Sequence, residues 1–269
     1  MSGSVAAIVP AAGMGSRVVG RRNKLFLPLA GEPLLAHTLR TLQASAAVRW
    51  IVVAVRPEDR VQVAALLRRC RITKALPPVP GASSRAASVA SACRGLPAGV
   101  TWVLIHDGAR PCLTPALVSR AVGEAKRHGA VACGLPASLT VKAADEDRWV
   151  RVTLDRERLW FVQTPQVFRW DWFSEALARA GLAKCRPEGR HGHVARALEQ
   201  FPDDAALVEA AGFTVRMVQG DPLNIKVTTR EDFILAEAIL RARMGGQVAK
   251  WQSGRRFSGH SATQSLSHF

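Results

Sequence analysis

The chain has no tyrosine among its 269 residues, and its 7 tryptophans and 9 phenylalanines fall mostly in apolar runs or in one later β-prone stretch. A surface that stacks single-stranded bases interleaves aromatic with basic side chains on strands. That pattern is missing, which counts against a nucleic-acid binder. Cysteines are few: Cys70, Cys93, Cys112, Cys133 and Cys185 are odd in number, far apart and never in a CxxC pair. Neither a disulfide framework nor a zinc site is indicated, and buried free thiols are expected. No apolar run is long enough to cross a bilayer. The N-terminus lacks a basic stretch followed by a long apolar one, so no signal peptide is expected and the cytoplasm is the expected compartment.

Acid is scarce as well. Lys and Arg number 37 against 21 Asp and Glu, a net charge of +16. Gly245–Phe269 contributes Lys250, Arg255, Arg256 and no acid, so the excess belongs mainly to the body of the chain. Such an excess suits either a phosphate-tracking nucleic-acid surface or a cleft that focuses positive field on a polyphosphate. Composition does not choose between them.

What is present is an alternation of two periods. Val5–Val9, Trp50–Val55, Trp102–Ile105 and Ala130–Cys133 are apolar, strand-like runs. Between them, Pro33–Leu42, Glu58–Cys70, Ser83–Arg94 and Pro115–His128 have helical spacing, with Val61, Ala64, Ala65 and Leu67 expected inward on the second. Continuous apolar strands separated by helices predict an α/β fold: a mostly parallel, Rossmann-like sheet covered on both faces. From Pro136 to Val162 the pattern becomes short β-prone pieces around the turn Asp145-Glu146-Asp147, a protruding β-arm at about 137–162. Trp170–Ala180, Asp203–Ala210 and Glu231–Arg243 read as helices, the last with Phe233, Leu235, Ala236, Ile239 and Leu240 apolar. Phe213–Val218 reads as a strand. One domain over residues 1–243 and a disordered tail over 244–269 are expected.

Pro10-Ala11-Ala12-Gly13-Met14-Gly15-Ser16-Arg17 follows the first strand. Small residues there let backbone approach a ligand, and successive N–H groups can cradle phosphate oxygens. It is not a dinucleotide fingerprint, because Val18 holds the third glycine position, and no GK[ST] follows to make a Walker loop. Arg17 and then Lys24 add fixed cations beside the loop. Nucleotidyl transfer needs such cations, because charge accumulates on the phosphorus under attack. Asp107 ends the strand Trp102–Ile105, and the carboxyl ends of parallel strands are where ligands bind.

The loop and Lys24 are followed in order by Gly81-Ala82-Ser83-Ser84-Arg85-Ala86-Ala87-Ser88, His106-Asp107-Gly108-Ala109-Arg110-Pro111, Thr140-Val141-Lys142 and Thr153-Leu154-Asp155-Arg156. Gln163-Thr164-Pro165-Gln166, Asp203-Asp204-Ala205 and Asn224-Ile225-Lys226-Val227-Thr228 complete the set. The set resembles the 2-C-methyl-D-erythritol 4-phosphate cytidylyltransferase family, from Val5 to about Arg243. The resemblance implies transfer of CMP from CTP to a methylerythritol phosphate; a sister activity on another polyol phosphate, such as ribitol 5-phosphate, is the alternative. It implies Arg17, Lys24 and Lys226 as catalytic, and Ala12, Gly13, Gly15, Gly81, Arg85 and Ser88 at the CTP. Asp107, Arg110, Thr140 and Arg156 would serve the acceptor, with Lys226 also gripping its phosphate. Mg²⁺ is the implied cofactor, with Asp107 as its ligand. It further implies a homodimer in which the arm carries Thr140 and Arg156 to the partner's site. The chain departs from the family's usual residues at Asn23 (proline), Ala82 (glycine), Leu139 (aspartate) and Pro202 (threonine).

Overall fold

The computed structural model describes residues 3–13, 23–82, 84–181 and 201–245. Arg17, Gly15, Cys185 and the tail from 246 lie outside the described residues.

The sheet grows from three apolar strands, β1 (Ser4–Pro10), β4 (Trp50–Val55) and β6 (Val100–Ile105). They pair in parallel with β1 in the middle, Ile8 lying beside Val52 on one side and Ile105 on the other. Strands buried on both faces need no polar alternation, which is why they read as unbroken apolar runs. Between β1 and β4 the short β2 (Pro28–Leu29) and β3 (Glu32–Pro33) pair with each other, apart from the main sheet. The short β5 (Val79–Pro80) closes one edge, parallel to β4. Beyond β6 come β10 (Trp160–Arg169), β7 (Ala130–Pro136) and β11 (Arg216–Gln219). Only β10 runs antiparallel to its neighbours. The fold is thus α/β with a mostly parallel sheet.

Helices cover both faces. On one side α1 (Leu34–Ala44), α2 (Arg60–Arg69), α4 (Pro115–His128) and the last helix α7 (Arg230–Met244) close over Leu35, Leu39, Val63, Leu117 and Ala236. On the other, α3 (Arg85–Cys93), α5 (Trp170–Arg179) and α6 (Asp204–Ala210) bury Val89, Phe173 and Val208 against Phe168 and Ile105. Their starts obey local chemistry. The side chains of Ser84, Thr114 and Asp203 each accept the N–H three residues on, and Thr229 with Asp232 forms a capping box. Cys70, Cys93, Cys112 and Cys133 are free and buried. Burial pushes the Cys112 thiol up to about 11 and that of Cys133 up to about 12, which keeps both protonated and inert.

Three expectations are corrected. Helix α2 turns Val63, Leu66 and Leu67 inward, while Val61 is 80% exposed and Ala65 is exposed too. Two apolar stripes overlap on this helix, and the one with the larger side chains buries more area. Leu235 is likewise exposed on α7. The third concerns the arm. Val141–Ala144 (β8) and Val150–Leu154 (β9) form the expected hairpin, but Trp160–Val162 belong to β10 and pair with Gly134–Pro136 of the main sheet. The strand character of Gln163–Phe168 is hidden in the sequence, because its polar residues, Gln163, Thr164 and Gln166, look like loop and are in fact buried.

Candidate active site

The loops at the carboxyl ends of β1, β4 and β6 meet over one rim of the sheet. Leaving β1, Ala11 donates its N–H to the Ala54 carbonyl at 2.7 Å. Gly81 donates to the Val55 carbonyl at 2.6 Å, and a Cβ on Gly81 would collide with that of Ala12. Ser88 spends its hydroxyl on the Ala82–Ser84 turn, accepting the Ala82 N–H at 2.9 Å and donating to the Ser84 carbonyl at 2.8 Å. These contacts shape a cavity of about 310 Å³ lined by Ala12, Gly13, Lys24, Arg85, Ser88, Asp107 and Lys226 among others.

Asp107 is the electrostatic centre. Its Oδ1 accepts from Arg85 Nε at 2.7 Å, its Oδ2 lies 2.9 Å from Lys226 Nζ, and Arg110 Nε is 3.7 Å away. Burial pushes its carboxyl up, but Arg85 and Lys226 outweigh burial and hold it below the ordinary carboxylate range. Arg85 reaches a second carboxylate, Asp204, at 2.7 Å. There burial prevails and Asp204 is raised, with Arg85 offsetting only part. Asp107 does not cap a helix; Thr114 caps α4.

The backbone beneath is fixed by polar groups. His106 Nε2 lies 3.3 Å from the Arg110 carbonyl, which can only accept, so that nitrogen carries the proton. Burial lowers the ring to about 4, so it is neutral and Nδ1 accepts from the Thr164 hydroxyl at 3.0 Å. Thr164 in turn accepts the Asp107 N–H at 3.1 Å, and its carbonyl accepts from Asn224 Nδ2 at 2.7 Å. Asn224 and Val227 bond to the Arg110 side chain and the Ala109 carbonyl, so the segment bearing Lys226 is locked to the loop bearing Asp107.

A second cavity of about 280 Å³ adjoins the first, lined by Arg110, Gln163, Thr164, Gln166, Asp203 and the same Arg85, Asp107 and Lys226. Among the described residues Arg110 Nε has no hydrogen-bond partner; it is buried and faces Asp107 Oδ2 at 3.7 Å. Thr140 and Arg156 line neither cavity; both are exposed on the arm, where Arg156 donates to the Ser138 carbonyl at 3.1 Å. Gly81 stands behind the first cavity's wall. Gln163, Thr164, Gln166, Asp203 and Asp204 received no role from the sequence beyond their motifs. Their only signal was motif order, since the structure alone brings them to Asp107 and Arg85.

No three His, Cys, Asp or Glu side chains cluster as a metal cage among the described residues. Asp107 is the one carboxylate among the residues lining the larger cavity. It is a hard oxygen donor of the kind Mg²⁺ takes, but its oxygens already meet Arg85 and Lys226, so it would hold the ion only in exchange for one of those contacts.

A doubly covered, mostly parallel sheet with a small-residue turn and converging cations at its rim defines a nucleotidyltransferase. The chain belongs to the 2-C-methyl-D-erythritol 4-phosphate cytidylyltransferase family, whose model matches residues 5–242. It is 40% identical over 242 residues to the cytidylyltransferase of that name from Pelotomaculum thermopropionicum, covering 90% of this chain and 96% of that protein. It is 38% identical to the one from Microcystis aeruginosa, covering 88% of this chain and 99% of that protein. Among solved structures, 4-diphosphocytidyl-2C-methyl-D-erythritol synthase from Anaerococcus prevotii superposes with a TM-score of 0.74 at 26% identity, covering 90% of this chain and all of that one. The Thermus thermophilus cytidylyltransferase superposes at 0.66 with 30% identity, covering 88% and 99%.

Proposed function

We propose that the two adjoining cavities carry the family's reaction: CMP passes from CTP to 2-C-methyl-D-erythritol 4-phosphate, giving 4-diphosphocytidyl-2-C-methyl-D-erythritol and pyrophosphate, in the non-mevalonate isoprenoid pathway. The supporting observation is that Arg85, Asp107 and Lys226 line both cavities. A group leaving a nucleotide in the larger cavity for an acceptor in the smaller one crosses that shared wall.

The acceptor's phosphate oxygen attacks the α-phosphorus of CTP. A new P–O bond forms as the bond to the β-phosphate oxygen breaks, and pyrophosphate leaves. A phosphate monoester is already anionic at neutral pH, so no side chain has to remove a proton. The protein's work is positioning and charge stabilisation. Lys24 and Lys226, which both line the larger cavity, hold phosphate oxygens, and Arg17 shares that work. Ala12, Gly13 and Gly15 offer backbone to the triphosphate, while Gly81, Arg85 and Ser88 shape the nucleoside end. Arg110, which lines the smaller cavity, turns its positive charge to the acceptor's phosphate. Asp107 would hold Mg²⁺, which neutralises charge on the departing phosphates.

The catalytic unit spans residues 1–243 and works as a homodimer in the cytoplasm. Leu139, Trp149, Val150, Val152 and Leu154 expose apolar surface on an otherwise charged arm, as a surface covered by a second copy would. Thr140 and Arg156 then serve the partner's acceptor cavity. No helix among the described residues is long and apolar enough to cross a membrane.

The test is pyrophosphate release from CTP and Mg²⁺ with either acceptor. Methylerythritol phosphate is expected to react and ribitol 5-phosphate not. Lys24→Ala and Lys226→Ala should each lower turnover by about a hundredfold or more, as loss of a transition-state donor does. Near-normal turnover in both variants would refute the mechanism.

A further inference from the structure

Lys24 stands on a single short turn, Lys24–Phe26, and its side chain lines the larger cavity. A turn of three residues does not hold itself in place: Leu25 packs into the core, and a buried polar anchor fixes the end at Lys24. Asn23 is 4% exposed and caps the turn: its Oδ1 accepts the Leu25 N–H at 3.1 Å. Its Nδ2 donates to Asp59 Oδ2 at 2.9 Å and lies 3.5 Å from the Ala11 carbonyl. Asp59, 6% exposed, is gripped in turn by Arg56, Nε to Oδ2 at 2.8 Å and Nη2 to Oδ1 at 3.0 Å.

The amide can point only one way. A backbone N–H needs an acceptor and a carboxylate needs a donor, so Oδ1 faces Leu25 and Nδ2 faces Asp59. Asparagine is therefore the side chain that can bridge the turn to a fixed carboxylate. The path runs from Arg56, just past the end of β4, through Asp59 and Asn23 to the backbone beside Lys24. None of the three lines the cavity, so any effect on the reaction passes through what they hold.

We propose that Asn23, anchored by Asp59 and Arg56, is the positioning residue that aims Lys24 into the nucleotide cavity. This rests on the catalytic reading of Lys24 above. The chain fixes this point by tying the Asn23 side chain to the Arg56–Asp59 ion pair.

The experiment uses the full chain with CTP, methylerythritol phosphate and Mg²⁺, and measures kcat, both KM values and thermal melting. Asn23→Ala should lower kcat by about tenfold to a hundredfold, as a misplacement on the order of 1 Å does, with KM for the acceptor little changed. Asn23→Asp sets a carboxylate against Asp59 and should be at least as damaging. In a Lys24→Ala background, Asn23→Ala should cost almost nothing more, because the two act as one unit. Wild-type kcat in Asn23→Ala, or an equal fold-loss in both backgrounds, would each overturn the proposal. If Lys24→Ala is itself near normal, the reading of Lys24 fails first, which is a separate result.

Discussion

Arg85 Nη1 meets Asp204 Oδ2 at 2.7 Å although 119 residues separate them in the chain. The same guanidinium holds Asp107 with Nε. One arginine thus ties the start of α3 to the loop after β6 and to the start of α6. Asp204 is only 2% exposed, so the pair is shielded from solvent on that side.

Breaking that tie leaves Arg85 with Asp107 as its one remaining carboxylate. Asp204→Ala should destabilise the protein by about 1–3 kcal/mol, the usual cost of losing a hydrogen bond to a charged group. Asp204→Asn keeps an acceptor for Arg85 and should cost clearly less. Urea denaturation of the two variants checks this; equal midpoints would show that the pair does not matter to the fold.

His106 gives a pH signature. Its ring is lowered from 6.5 to about 4 by burial. As pH falls from 6.5 towards 4, the unfolded chain takes up a proton there and the folded chain does not. Stability should therefore decline over that window, by about 3 kcal/mol in total at 1.36 kcal/mol per unit. In His106→Asn, whose amide oxygen can still accept from Thr164, this part of the slope should vanish. Denaturation midpoints at intervals between pH 4 and 7 would show whether it does.

Gly81 is required by closeness. Its φ is not positive, but a Cβ there would strike Ala12 and press on Ser88 Oγ at 3.2 Å and the Val55 carbonyl at 3.3 Å. Gly81→Ala should move the wall of the nucleotide cavity at an overpacking cost of about 1–3 kcal/mol. KM for CTP should rise by about tenfold with KM for the acceptor less affected. Unchanged CTP saturation would show that the wall yields freely.

The proposal that the arm serves a partner's site has a direct test. Lys24→Ala and Arg156→Ala homodimers should each be nearly inactive. Mixed and reassembled, a heterodimer holds one site with an intact Lys24 and an intact Arg156, so activity should return. No recovery despite verified heterodimers would show that Lys24 and Arg156 of the same protomer serve one site.

The periodicity alone determined the strands β1, β4 and β6, the helices between them, and the rim at which Asp107 emerges. Those features are local: unbroken apolar runs mark strands covered on both faces, and Ser84, Thr114 and Asp203 mark helix starts within a turn of themselves. The hairpin was legible from its polar turn. The place of β10, by contrast, was decided by tertiary structure, because Gln163, Thr164 and Gln166 are polar residues whose partners, Asp221, His106 and Asp203, lie far away in sequence. The inward face of α2 was decided the same way, by which stripe fits the sheet. So was the role of Arg85, whose two carboxylates come from loops that no local pattern connects. Hydrogen bonds and ion pairs between distant segments leave no periodic trace, and here they are what brings the two cavities together.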